Sequence, residues 1–255
     1  MRIEILISTL NDGLFDIKIN EKYIYLIVHQ ITLHEKIGVY EKYFLEKLKN
    51  NNVRYIQSNT IGLSKSRNIA LKNSVGDILW IMDDDVEILE STHDKIINSY
   101  RNTSYDILIL NHTTAKNKTS SYNIKQYKHN IISSAKIHSI DISFRKKIKE
   151  KILFDESFGL GTKLPSGEEY IFITDAIKAN FSVYQTNIIA SAHPNISSGV
   201  DFYSTKEKII AKRKMLDRIF RKLSLILTIL FIFKKTILLI KKKKLLSFIR
   251  YALFK

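Results

Sequence analysis

Short apolar runs separated by polar stretches set the rhythm of the first 110 residues. Residues 3–8 and 23–28 ("YIYLIV") are nearly continuous apolar runs of strand length. Residues 38–50 ("GVYEKYFLEKLKN") shift to helical spacing and stop in Asn-rich sequence. "VRYIQS" (53–58) predicts a short strand, and 62–76 a helix closed by Gly76, a residue type that tolerates a left-handed C-cap. "DILWIM" (77–82) and "YDILIL" (105–110) predict two more buried strands. Strands alternating with helices argue for an α/β fold, with a mostly parallel sheet and helices on both faces.

After residue 110 the pattern loosens. Residues 111–136 are polar and irregular and read as a loop or lid. Residues 137–148 read as a strand followed by a helix start. The stretch 154–169 is a long loop that holds three of the eight glycines and one of the two prolines. In 169–180 the residues Tyr170, Ile173, Thr174 and Ile177 fall on one helical face, and Asn180 suits the helix end. Two short strands are expected at 181–186 and 188–193. From 206 onward, aliphatic residues alternate with lysine and arginine.

Charge changes the picture at this last boundary. The net charge of the 255 residues is +16. Residues 1–205 hold 25 Lys+Arg and 23 Asp+Glu, whereas 206–255 hold 16 and 2, so the basicity belongs to the tail. A body (1–205) and a basic amphipathic helical tail (206–255) are therefore expected, with the body able to stand without the tail. The longest uncharged run of the tail, 223–233, has 11 residues, short of the roughly 20 that span a bilayer. Lysine stems snorkel, so one or two interfacial helices on an anionic membrane surface are expected. A helix packed on the core is the plainer alternative. Nucleic acid is not expected as a partner, because aliphatic side chains rather than stacking aromatics separate the charges. Glu4 and the "NDG" turn exclude a signal peptide in the first residues. Cysteine is absent, so any metal must be held by Asp, Glu, His or backbone oxygen. Abundant Lys, Ile and Asn with little Pro suggest AT-rich, bacterial coding.

The chemistry concentrates in "WIMDDDVEI" (80–88), where three aspartates follow an apolar strand. Ligands of parallel α/β sheets bind at the carboxyl ends of strands, and a hard divalent cation relieves repulsion among carboxylates. Strand periodicity sends Asp83 and Asp85 one way and Asp84 the other. A solvated acidic turn is the bland alternative. Arg67, in the first turns of a helix near the same strand ends, is suited to pair with a phosphate or with Asp83. Glu168 and Glu169 follow Gly167 at a helix start, where the dipole favours negative charge.

"GLSKSRNIALKNSVGDILWIMDDDVEI" resembles the core of family-2 glycosyltransferases, enzymes of the GT-A fold: Gly62, Arg67-Asn68, Gly76 and Asp83-x-Asp85 stand in the family's order. "FDESFGLGTKLPSGEEYIF" resembles its acceptor-side loop, and "SAHP" the late segment that supplies a histidine. The resemblance covers roughly residues 1–205. It implies an inverting transfer of one sugar from a nucleotide sugar, expected to be UDP-linked, with Mn²⁺ or Mg²⁺. It gives the metal to Asp83, Asp85 and His193, and the general base to Glu169 with Glu168 orienting. Donor contacts are expected from Thr9, Asn11, Gln30, Arg67, Asn68, Asp83 and Asp84. Gln30 stands where many members carry an acidic residue. The Gln-x-x-Arg-Trp signature of processive members is missing, which argues against polymerisation. A lipid-linked or growing surface glycan, of capsule or lipopolysaccharide type, is the implied acceptor, and the cytoplasmic face of the bacterial inner membrane the implied location. The alternatives are a metal-dependent nucleotidyltransferase, for which "STLNDG" is a poor phosphate loop, and a non-enzymatic binder.

Overall fold

The structure is a computed structural model that describes residues 1–113, 125–193 and 201–254. The centre of the expected lid, 114–124, and Pro194 lie outside the described residues. Among the described residues nine strands form one sheet: β1 (Ile3–Leu10), β2 (Ile24–Gln30), β3 (Val53–Ser58), β4 (Ile78–Met82), β5 (Glu87–Ile88), β6 (Ile107–Thr113), β7 (Tyr127–Lys128), β8 (Ile142–Arg145) and β9 (Val183–Ala192). Their order is β3-β2-β1-β4-β8-β6-β9-β5, with β7 also on β9. The half made of β3, β2, β1 and β4 is parallel, as expected. The other half is mixed: β8 runs antiparallel to β4 and β6, while β9 is parallel to β6. The sheet is therefore less parallel than the sequence pattern indicates, because β8, β5 and β7 are too short to show a direction of their own.

Alternation along the strands separates two buried layers. Ile78, Trp80 and Met82 face one, with Ile3, Ile5 and Ile7; Leu79 and Ile81 face the other, with Leu6 and Leu26. The first layer is closed by α1 (Ile37–Tyr43) and α3 (Thr92–Asn102), through Tyr40, Ile96, Ile97 and Tyr100. The second is closed by α2 (Leu63–Asn73) and α4 (Glu168–Lys178), through Ala70, Leu71, Phe172, Ile173 and Ala176. Helices thus cover both faces.

Three local expectations change. The helix at 38–50 is α1 followed by a π-type turn over Phe44–Leu48. The strands expected at 181–186 and 188–193 are one strand, β9, whose pairing with β6 shifts register around Asn111. Gly76 is not a left-handed cap, since α2 ends at Ser74. A Cβ there would lie 2.6 Å from that of Glu4, and the Gly76 and Val75 amides both donate to the Glu4 carboxylate at 2.6 Å. Asn180 does end α4, with φ of 65°.

The tail forms α5 (Lys206–Phe220), α6 (Ser224–Lys241) and α7 (Leu245–Leu253). Met215, Leu216 and Ile219 of α5 share a core with Phe158, Tyr170 and Ile171 of the body. Arg218 reaches Asp155 and Asp175 at 3.1 and 2.7 Å. The helix-on-core alternative therefore holds for α5. A second small core joins Ile209 of α5 to Ile232, Leu239, Phe248 and Ala252.

Candidate active site

The aspartates diverge at the carboxyl end of β4, as strand geometry requires. Asp84 turns inward, where the Thr9 hydroxyl donates to it at 2.5 Å. Burial is the main reason that its pKa rises to about 6; flanking Asp83 and Asp85 add to this, and the Thr9 hydrogen bond opposes it. Asp83 accepts from Arg67 at 3.2 Å and from Ser139 at 3.5 Å. Asp85 faces solvent, with His193 Nε2 at 3.4 Å from its Oδ1.

Arg67 ties the two halves of the site together. Its side chain is 1% exposed and lies over the Phe154 ring, with Nη2 on Asp83 and Nη1 3.3 Å from Glu168 and 4.0 Å from Glu169. Burial opposes its charge; Asp83, Glu168 and Glu169 overcome that and raise its pKa. So deep a cation acts here as a clamp between carboxylates, the pairing with Asp83 that the sequence allowed.

Gly167 sets the start of α4. Its φ is 106°, and a Cβ would come within 2.8 Å of the Met215 sulfur of α5. Only glycine meets both the backbone and the steric demand. The next two residues differ sharply. Glu168 is buried, and its pKa is raised by that burial and by Glu169, with Arg67 opposing. Its Oε2 and the Arg67 Nε have no hydrogen-bond partner. Glu169, 25% exposed, opens towards solvent.

The other residues expected at the donor have protein partners in this structure. Both N–H groups of Asn68 are engaged, to Phe154 O at 2.9 Å and Glu156 at 3.0 Å, and its Oδ1 accepts from Phe154 N. Gln30 donates to the carbonyl and hydroxyl of Thr60, so its amide tethers the chain before α2. Asn11, left-handed with φ of 49°, bridges to Thr32 and Leu33. Thr9 is buried against Asp84. Thr9, Asn11 and Gln30 lie at or just after the carboxyl ends of β1 and β2, and Asn68 lies in α2.

The sequence reading did not single out Ser139, the His112–Asp141 pair (Nδ1 to Oδ1, 3.0 Å) or Lys212 of α5. Burial lowers the Lys212 pKa, and the charge of Glu169 opposes this. These residues come from segments far apart in the chain, and no local spacing marks them.

Among the described residues no three His, Asp or Glu side chains form a metal-binding group. The outward Asp85–His193 pair is nonetheless a carboxylate–imidazole donor set that suits Mn²⁺ or Mg²⁺, with Asp83 beside it held by Arg67.

The family described as glycosyl transferase family 2 matches residues 39–160, which include Arg67, the three aspartates and the start of the glycine loop. No curated protein matches the chain. In fold it is similar to S. aureus TarS 1–349 (TM-score 0.59, 16% identity, 87% of this chain and 66% of that one). The same TarS fragment with UDP-GlcNAc gives TM-score 0.60 and 17% identity over 87% and 67%. Mannosyltransferase PcManGT from Pyrobaculum calidifontis, with GDP-Man and Mn²⁺, gives 0.54 and 13% over 87% and 63%. The chain thus spans about two thirds of the length of these structures. The segment that matches this family, residues 39–160, thus lies on the strand-end crevice of a fold similar to that of GT-A glycosyltransferases.

Proposed function

We propose that the protein transfers one sugar, with inversion, from a nucleotide sugar to a hydroxyl of a lipid-linked or surface glycan. The observation that carries this is the Arg67 clamp, which holds Asp83 of the strand-end aspartates and Glu168 of the acceptor-side loop on one guanidinium. Two acidic motifs, suited to donor and acceptor chemistry, thereby share one crevice. UDP-GlcNAc in TarS and GDP-Man with Mn²⁺ in PcManGT support a nucleoside-diphosphate donor.

Asp85 and His193, with Asp83 behind them, would hold Mn²⁺ or Mg²⁺, which supplies charge neutralisation at the diphosphate. Glu169 is the base. Its carboxylate takes the proton of the acceptor hydroxyl as that oxygen bonds to the anomeric carbon. The anomeric C–O bond breaks, and the nucleoside diphosphate leaves with the electron pair. Glu168, buried on Arg67, orients Glu169 instead of exchanging protons with substrate. Gly167 and Met215 fix the start of the helix that carries both.

The tail supports a membrane-attached reading. Along α6, Ile226, Leu230, Phe233, Ile237 and Ile240 form one exposed apolar row; Phe233 and Ile237 are each 74% exposed. The helical stretch Lys206–Lys241 is long and apolar enough to cross a bilayer, but Arg221, with φ of 47°, divides it. Lys222, Lys234, Lys235 and Lys241–Lys244 flank the apolar row. That arrangement suits the cytoplasmic, anionic leaflet, with α6 lying in the interface.

The test is calorimetry of UDP and GDP with Mn²⁺, in wild type and Asp85→Asn. Binding that needs both the metal and Asp85 is expected. Equal affinity in EDTA overturns the metal assignment.

A further inference from the structure

Next to His112, whose ring is 6.4 Å from that of His193, lies a cavity of about 220 Å³ lined by residues of β6, of the 127–141 segment and of β9. Its floor is polar but satisfied. The register shift in β6 at Asn111 interrupts the ladder with β9, and the Asn111 side chain fills the gap by donating to Thr186 O and Ile188 O at 2.9 and 3.1 Å. Gln185 donates to Asn111 Oδ1 at 2.9 Å, and its Oε1 lies 3.2 Å from His129 Nε2. The buried His129 also meets Ser133 at 3.1 Å. A bulge of this kind re-aims side chains at a sheet rim.

The walls differ from the floor. Lys136 and His138 are exposed and make no ion pair among the described residues. The His138 ring is 5.1 Å from that of His112 and nearly perpendicular to it. Asp141 holds His112 Nδ1, leaving the rest of that ring to the cavity. The one carboxylate on the wall is thus engaged by a histidine, while an ammonium and a second imidazole stand open.

The cavity also adjoins the chemistry. The His112 ring is 6.4 Å from that of His193, which faces Asp85. The segment that carries Lys136 and His138 continues into Ser139, which donates to Asp83. At about 220 Å³ the cavity is smaller than the roughly 300–1,000 Å³ of pockets that enclose a whole small ligand. It suits one group of a larger molecule.

We propose that this cavity is an acceptor subsite for a phosphate group, held by Lys136, His138 and His112. The inference rests on the glycosyltransferase reading above and names its acceptor class, a phosphate-bearing glycan or lipid carrier. Phosphate is favoured over carboxylate because the donors come from three separate side chains and no arginine lines the cavity. A planar carboxylate is matched by the arginine fork, whereas lysine binds phosphate as a point charge.

The experiment is calorimetric titration of the full chain with glycerol 3-phosphate, glycerol and inorganic phosphate, in wild type, Lys136→Gln and His138→Gln. Both substituted residues are exposed, so the fold is retained. Glycerol 3-phosphate is expected to bind and glycerol not. Each substitution should weaken binding roughly tenfold, the loss of one charge-assisted hydrogen bond. Unchanged affinity in both variants, or no binding by wild type, overturns the proposal. Binding of inorganic phosphate without glycerol 3-phosphate overturns the acceptor assignment in favour of a free-ion site. UDP and GDP titrations on the same samples keep the two readings apart. If a nucleoside diphosphate binds and glycerol 3-phosphate does not, only the acceptor subsite fails; if neither nucleotide binds, the donor reading fails.

Discussion

Arg67 shows at the residue scale how one buried cation organises two acidic motifs. Desolvating it is costly, and the planar fork offsets the cost by meeting two carboxylates at once. Arg67→Ala should therefore destabilise the fold by about 3–5 kcal/mol, because Asp83 and Glu168 lose their counter-charge. Arg67→Lys should not rescue it, since one ammonium cannot fork; chemical denaturation of both variants checks this. The glutamates divide their work by burial. Glu169→Gln should keep nucleotide binding and lose transfer by roughly 10²–10⁴-fold, as expected for a general base. Single-turnover rates test this, and a dead Glu168→Gln with an active Glu169→Gln reverses the assignment. Glu168 also predicts a pH effect. Burial and Glu169 raise its folded pKa from 4.5. Below about pH 4.5 it is protonated folded or unfolded, and its burial carries no penalty. As pH rises towards the raised folded value, the unfolded chain ionises first, so stability falls. Glu168→Gln should flatten this slope of Tm across pH 5–8, measured by thermal unfolding.

At the scale of elements, Glu4 explains why a charge sits inside the first strand. The residue is fully buried in β1, yet its carboxylate takes the Val75 and Gly76 amides and pairs with Arg54. It thereby fastens the turn between α2 and β4, and so fixes where the aspartates emerge. Glu4→Ala leaves two amides unsatisfied, and a loss on the order of 2–4 kcal/mol is expected. Amide exchange around residues 74–78 should accelerate more than in α3, whose contacts are independent of this turn. The loop 154–167 is tied to α2 in the same way: Ser64 donates to Phe158 O at 2.6 Å and Leu63 N to Leu160 O at 2.9 Å. Both acidic motifs therefore rest on α2, the element that carries Arg67.

For the whole molecule the decisive feature is that α5 belongs to two cores. It covers the start of α4 through Met215 and anchors α6 and α7 through Ile209. Removing everything after Ser204 should expose Phe158, Tyr170 and Ile171 and loosen the Gly167–Glu169 turn. The body is thus less independent than the charge boundary at 205 suggests. Membrane attachment is better tested in the full chain, with Phe233→Glu/Ile237→Glu on the outward row of α6. Co-sedimentation with anionic liposomes should drop strongly in this variant while Tm is retained, because both side chains are exposed. High salt should weaken the wild type only in part, since salt screens charge but leaves apolar burial intact. A variant that sediments like wild type places the membrane site elsewhere.

The sequence by itself determined the strands of the parallel half, the helices on both faces, the strand-end position of the aspartates and the glycine-bearing loop before Glu168. These follow from local periodicity and turn chemistry, which neighbouring residues express in full. Tertiary structure alone decided the rest. The direction of β8 depends on which strands lie beside it. The role of Gly76 depends on Glu4, more than seventy residues away. The partners of the Asn68 and Gln30 amides, Phe154, Glu156 and Thr60, are likewise set by the fold. Whether a polar group is available to a ligand depends on which partners reach it first, and those partners come from distant parts of the chain. The same reason kept the cavity beside β6 out of the pattern: His112, Lys136 and His138 carry no spacing rule and line one cavity only in the folded chain.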